Sequence, residues 1–292
     1  MDINKIPQLK DFDKLIDCND AVKPLSEAID KSVYTAERFK SGYPLFDESM
    51  NGGFKDGDLV VLSGISGQGK TTLGQTLTYN LCKQGLPCLW FSYEVSIEHL
   101  HRKFVEMGIE KFYHTYVPQK NTTGELRWVK AKIREGIIKH GTKFVFIDHL
   151  DFLLPTNLNT SDSQSVMLKN IATELKSLAI ELKVVIFTMA HLKKLPNDKE
   201  PDMQDIGYSA GIFQLADYVV MVYRERNKEY RRFGSANDGE LYTNNTIIKY
   251  VKNRESGSLK FIKCQYDSGK FLQLDSIHEE PKSDGKFFGE RE

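Results

Sequence analysis

Between Val60 and Leu77 the chain reads VVLSGISGQGKTTLGQTL: an apolar run, a glycine-punctuated loop, then a lysine, two threonines and a helix-compatible stretch. Gly64, Gly67 and Gly69 let successive backbone N–H groups wrap an anion, and a helix starting at the lysine aims its positive dipole end at the same point. The segment from Gly64 through Ile65, Ser66, Gly67, Gln68 and Gly69 to Lys70 and Thr71 fits G-x-x-x-x-G-K-[ST] completely. It also stands between a strand and a helix, where a phosphate-binding loop must stand. Gly64, Ser66, Gly67, Gln68, Gly69, Lys70, Thr71 and Thr72 are therefore the expected nucleotide-binding set. In it Lys70 reaches the β- and γ-phosphates and the Thr71 hydroxyl ligates Mg²⁺, so ATP and Mg²⁺ are the expected cofactors.

The apolar run before the loop recurs along the chain as PCLWFSYE, KFVFIDHLDFLL, KVVIFTMAH and DYVVMVYRE, with helical spacing between the runs, as from Ser165 to Leu182. Strands alternating with helices predict a parallel sheet covered on both faces. After Arg224 the pattern shortens to NTIIKYVKNR, GSLKFIKCQY and GKFLQLD, separated by ESG and DSG, which predicts antiparallel strands on one sheet edge. The expected class is α/β, a P-loop core with antiparallel strands at its C-terminal edge.

A P-loop enzyme needs a carboxylate for its metal, and Asp148 closes a buried run at the sheet edge where ligands gather. Glu94, after the strand following the P-loop helix, is placed to polarise the attacking water; an acid near a helix start at Ser96 is the competing reading. His191 ends another buried run, either as a contact to the γ-phosphate or as an internally satisfied loop histidine.

Forty basic and forty acidic residues cancel, so a nucleic-acid site must rest on local patches. Cys18, Cys82, Cys88 and Cys264 form no metal-ligand spacing and fit buried thiols in a reducing compartment. No window approaches the ~18 apolar residues of a membrane span, and no basic-then-apolar leader opens the chain. No membrane and a cytoplasmic location are expected.

Taken together, SGYPLFDESMNGGFKDGDLVVLSGISGQGKTTL, LWFSYEVS, FVFIDHLDFLL, FTMAHLKK, DIGYSAGIFQLADYVVMVYRE and KNRESG resemble the RecA-type motor domain of DnaB-like hexameric replicative helicases. The histidine in AHLK is closer to the phage primase-helicase and Twinkle branch. The resemblance implies a RecA-like fold, a bacterial, phage or organellar-matrix setting, Glu94 as catalytic glutamate, Asp148 as Walker B aspartate and His191 as phosphate sensor. It also implies that Lys252 and Arg254 reach the nucleotide of a neighbouring subunit. One departure is DIGYSAGIFQ, which puts Gly207 and Tyr208 where the family has an arginine.

The expected organisation is an arm or linker over residues 1–37, the motor over 38–275 and a loose tail over 276–292. Neither a primase nor a helical N-terminal domain is expected in the short lead, so a minimal helicase, a fragment of one and a relative with another task stay open. Lys193, Lys194 and Lys199, in a polar loop after His191, are the expected contacts to single-stranded DNA, with simple solvation as the alternative. The expected partners are single-stranded DNA, five further copies in a homo-hexameric ring, and a primase or loader. A regulatory or recombination ATPase resembling KaiC or RadA, without unwinding activity, is the alternative function.

Overall fold

The computed structural model describes residues 37–108, 114–119, 122–154, 161–191, 201, 210–226, 242–274 and 278–279. Among these, ten strands form one sheet in the order β10-β8-β7-β6-β1-β5-β4-β2-β3, with β9 paired to β8. The strands are β1 (Leu59–Gly64), β2 (Cys88–Ser92), β3 (Thr115–Tyr116), β4 (Phe144–Asp148), β5 (Val185–His191) and β6 (Tyr218–Arg226). After them come β7 (Tyr242–Asn253), β8 (Lys260–Asp267), β9 (Lys270–Gln273) and β10 (His278–Glu279). The pairings among β1 to β6 are parallel, and those of β7 to β10 are antiparallel, as expected from the change of pattern after Arg224.

The helices are α1 (Pro44–Ser49), α2 (Lys70–Lys83), α3 (Ile97–Glu106), α4 (Leu126–His140), α5 (Ser161–Leu182) and α6 (Ala210–Leu215). Side chains alternate across a strand, and here both alternations are buried. Val60 and Leu62 join one core with Leu73 and Leu77 of α2 and Phe104 of α3. Leu59 and Val61 join the other with Ile133 of α4, Leu175 of α5 and Ile212 of α6. Cover on both faces is why the strands read as unbroken apolar runs.

Three consecutive strands on one side of the P-loop strand, β5, β4 and β2, are tied by an aromatic ladder. Trp90, Phe146 and Phe187 are register partners on β2, β4 and β5. Their rings stack nearly parallel, with centroids 4.8 Å and 4.6 Å apart. Such pairs contribute about 0.5–1.5 kcal/mol each beyond burial, and the Trp90 indole donates to Thr78 Oγ1 of α2 at 2.9 Å. The ends of β2, β4 and β5 are therefore fixed against one another and against the P-loop helix.

Two boundaries differ from expectation. Helix α5 starts at Ser161 rather than Ser165. Beyond residue 275, inside the expected tail, His278 and Glu279 pair with Phe261 and Lys260 of β8. Among the described residues, no helix is long and apolar enough to cross a membrane.

Candidate active site

The loop between β1 and α2 is cradled by residues far along the chain. Gly69 caps α2 with φ of 107°, where a Cβ would lie 2.7 Å from Cζ of Phe271 on β9. At Gly64 a Cβ would meet the Val222 carbonyl oxygen of β6 at 2.3 Å. Only glycine fits these positions. Lys70 is buried, and its Nζ donates to the carbonyls of Gly64 and Ile65 at 3.1 and 3.2 Å. Burial lowers its pKa, against the opposing pull of Glu94 and Asp148.

Asp148 is fully buried at the end of β4, and its Oδ2 accepts from Thr71 Oγ1 at 2.8 Å. Its Oδ1 is buried without a hydrogen-bond partner. Desolvation pushes the carboxyl up to about 6, with the Glu94 charge adding to the rise and the Thr71 hydrogen bond opposing it. A hydroxyl and a carboxylate joined this way, with one oxygen unpartnered, form an oxygen donor set that suits Mg²⁺.

Register brings the remaining groups to the same edge. His191 of β5 is paired with Gly64, and Ser92 of β2 with Asp148, which puts Glu94 just beyond it. Glu94 is exposed and precedes the helix cap: Ser96 accepts from His99 N at 3.2 Å, and Glu98 is the acid of the first turn. That leaves Glu94 free of the helix-start role weighed above. His191 is half-buried, and desolvation, then the charges of Lys70 and His149, lower its pKa and favour the neutral ring.

Two groups of site residues escaped sequence reasoning. His149 directly follows Asp148 and is mostly buried, its ring 4.5 Å from that of His191 and its Nδ1 3.4 Å from Asp151 Oδ2. The neighbouring His149 lowers the Asp151 pKa. The only signal was the dipeptide Asp148-His149 itself. The second group, Arg224, Gln265, Tyr266 and Phe271, joins the expected Thr72 in walling a cavity of about 290 Å³ beside the loop. Gln68 is tied into this wall: its Nε2 donates to Tyr242 Oη at 3.2 Å and its Oε1 accepts from Arg224 N at 3.2 Å. The Arg224 guanidinium lies 4.9 Å over the Tyr242 ring.

Lys252 and Arg254 are not brought to this P-loop. Asn253 is in register with Tyr218, and Tyr218 with Val60, so both cations lie near the end of β1 opposite Gly64. Lys252 Nζ donates to the carbonyls of Phe213 and Gln214 at 2.8 and 2.9 Å, and burial lowers its pKa. Arg254 pairs with Asp217 at 3.2 Å while remaining half exposed. Asp217 also takes the Leu59 N–H at 2.8 Å and pairs with Lys176. Lys193, Lys194, Lys199, Gly207 and Tyr208 lie outside the described residues, as does the arm before residue 37.

The family model described as DnaB-like helicase C terminal domain matches residues 39–110 and 109–273. The replicative DNA helicase DnaB of Rickettsia conorii is 26% identical over 275 residues, covering 77% of this chain and 55% of that protein. The chain thus spans about half the length of the curated relatives it matches. Among solved structures, an ATPase domain superposes with TM-score 0.73 at 20% identity, over 90% of this chain and 100% of its own. A DnaB-like replicative helicase, solved in a study of its interactions with primase, gives 0.71 at 20% identity, covering 91% and 68%. These superpositions show the shared fold, a RecA-like α/β core.

Proposed function

The chain belongs to the family of DnaB-like helicase C-terminal domains, and from that premise we propose that it is a replicative helicase motor. It would hydrolyse ATP with Mg²⁺ and move on single-stranded DNA. One observation carries the reading: the edge that holds the P-loop also holds the Thr71–Asp148 pair with its unpartnered Oδ1, and register brings Glu94 and His191 alongside.

Each residue then has one task. Backbone N–H groups from Gly64 to Lys70, with Ser66, Gly67 and Gly69 in the turn, wrap the phosphates, and Lys70 supplies a cation to the β- and γ-oxygens. Thr71 and Asp148 would hold Mg²⁺, which supplies charge neutralisation between those oxygens. Glu94 takes the proton of the attacking water. His191, kept neutral, contacts the γ-phosphate and senses its loss. Thr72, Gln68 and the Tyr266–Phe271 wall form the side of the site that receives ribose and base.

Arg254 and Lys252 belong to a different pocket. At the sheet end away from their own P-loop, they serve the nucleotide of the next subunit in a homo-hexamer, where an arginine in trans is worth ~10³ or more in rate. Lys193, Lys194 and Lys199 line the DNA path, and a primase or loader joins the ring. A cytoplasmic or organellar-matrix location goes with this role. The KaiC- or RadA-like alternative is not favoured, since the matched family is a helicase one. The test is ATP turnover with and without single-stranded DNA, alongside separation of a tailed duplex. A motor shows stimulated turnover and strand separation; a protein with neither is not one.

A further inference from the structure

Glu94, His149 and His191 stand beyond or at the ends of β2, β4 and β5, three neighbouring strands. One potential ligand atom from each lies within 4.8 Å of the other two. Mg²⁺ takes oxygen ligands, whereas two imidazoles and a carboxylate are a donor set for zinc and its borderline neighbours. Bonds of roughly 2.0–2.2 Å require donors somewhat closer than this, and the exposed Glu94 side chain is free to swing in. The two rings meet at 78°, on strand ends held by the Trp90–Phe146–Phe187 ladder.

A second observation points the same way. His149 Nδ1 is buried, and the Asp151 carboxylate stands 3.4 Å from it. A carboxylate behind a histidine is the arrangement that orients an imidazole toward a metal. Three protein ligands also leave a fourth position for water or a phosphate oxygen, the mark of an open zinc site. The Thr71–Asp148 pair uses none of these three residues.

We propose that Glu94, His149 and His191 form a second metal site, selective for zinc-class divalent ions, whose occupancy withdraws Glu94 from water activation and so arrests ATP hydrolysis. The arrest rests on the role assigned to Glu94 under the proposed function; the binding does not. Excess Mg²⁺ does not reverse the arrest, because Mg²⁺ has a different donor set.

The full chain, free of any affinity tag and stripped of metal, is titrated with Co²⁺ without nucleotide and followed by visible d–d absorption, with Zn²⁺ as competitor. Saturation at one ion per chain in the micromolar range is expected, with the absorption lost on adding Zn²⁺. Glu94→Gln, an exposed change that leaves the fold alone, and His149→Gln should each weaken binding at least 10-fold. Separately, micromolar Zn²⁺ should cut turnover at least 10-fold in millimolar Mg²⁺, and a zinc-selective chelator should restore it. Absence of saturable absorption, or unaltered affinity in both variants, overturns the site. Binding that depends on these residues but leaves turnover intact overturns the arrest. A chain that binds Co²⁺ but never hydrolyses Mg²⁺-ATP would instead sink the motor reading and leave the metal site standing.

Discussion

Replacing Asp148 with Asn should remove function and add stability, and the size of the gain should depend on pH. The carboxyl ordinarily ionises near 3.8, but burial pushes it up to about 6 in the folded chain. A raised carboxyl pKa stabilises the fold below the unfolded value and loses that contribution as pH climbs through the folded one. Against an amide that does not titrate, the wild type is penalised by about 0.6 kcal/mol at pH 4, about 1.6 at pH 5 and about 3 at pH 8, from 1.36 kcal/mol per unit. Asn keeps an oxygen for the Thr71 hydroxyl, and the attraction of Lys70 for the ionised carboxylate is already contained in the folded value. The robust quantity is the change between pH 5 and pH 8, about 1.4 kcal/mol. Urea unfolding of both nucleotide-free proteins at the two pH values measures it directly. At the same time Mg²⁺-ATP should raise the wild-type midpoint and leave the variant nearly unmoved. A variant whose advantage is the same at pH 5 and pH 8 would refute burial as the cause of the shift.

The other expectations are simpler to state. Glu94→Gln should retain ATP binding and slow single-turnover hydrolysis by something like 10²- to 10⁴-fold; a collapse of binding with normal chemistry would make Glu94 structural. Gly69→Ala forces a Cβ into a left-handed backbone and toward Phe271, a strain of roughly 1–3 kcal/mol. Equilibrium binding of a fluorescent ATP analogue should drop at least 10-fold, and unchanged affinity would mean that the loop relaxes around the methyl. Neutralising Lys193, Lys194 and Lys199 together should lower the salt-dependence slope for single-stranded DNA by about 2, at roughly 0.7 per charge. An unchanged slope would move the DNA path to the stretch from Arg224 to Arg232.

What could be read from the chain beforehand follows from where the information sits. Burial on both faces leaves its trace in local composition, so β1, β2, β4, β5 and β6 were each visible as apolar runs, and the P-loop and Asp148 were visible at their ends. Strand order was not, because nothing local in Phe146 says that Trp90 and Phe187 flank it. The cavity wall was hidden for the same reason: Gln68, Arg224, Tyr242 and Phe271 converge only once β6 to β9 fold back beside the loop. His149 was overshadowed by the aspartate before it. The anchoring of Lys252 and Arg254 on the α6 carbonyls and Asp217 depends on a long-range register that a turn motif does not encode.

The central claim is that hydrolysis takes place between subunits, with Arg254 of one chain serving the pocket of the next. Mixing two inactive variants tests it most directly. Lys70→Ala destroys its own pocket but keeps Arg254, whereas Arg254→Ala keeps a sound pocket and lacks the finger. Rings assembled from both, with mixed composition verified by native mass measurement, contain interfaces in which pocket and finger are both intact. ATP turnover should reappear in them, rising from the near-zero rate of either parent. Full activity of Arg254→Ala alone, or mixed rings as inactive as their parents, would contradict an interfacial site.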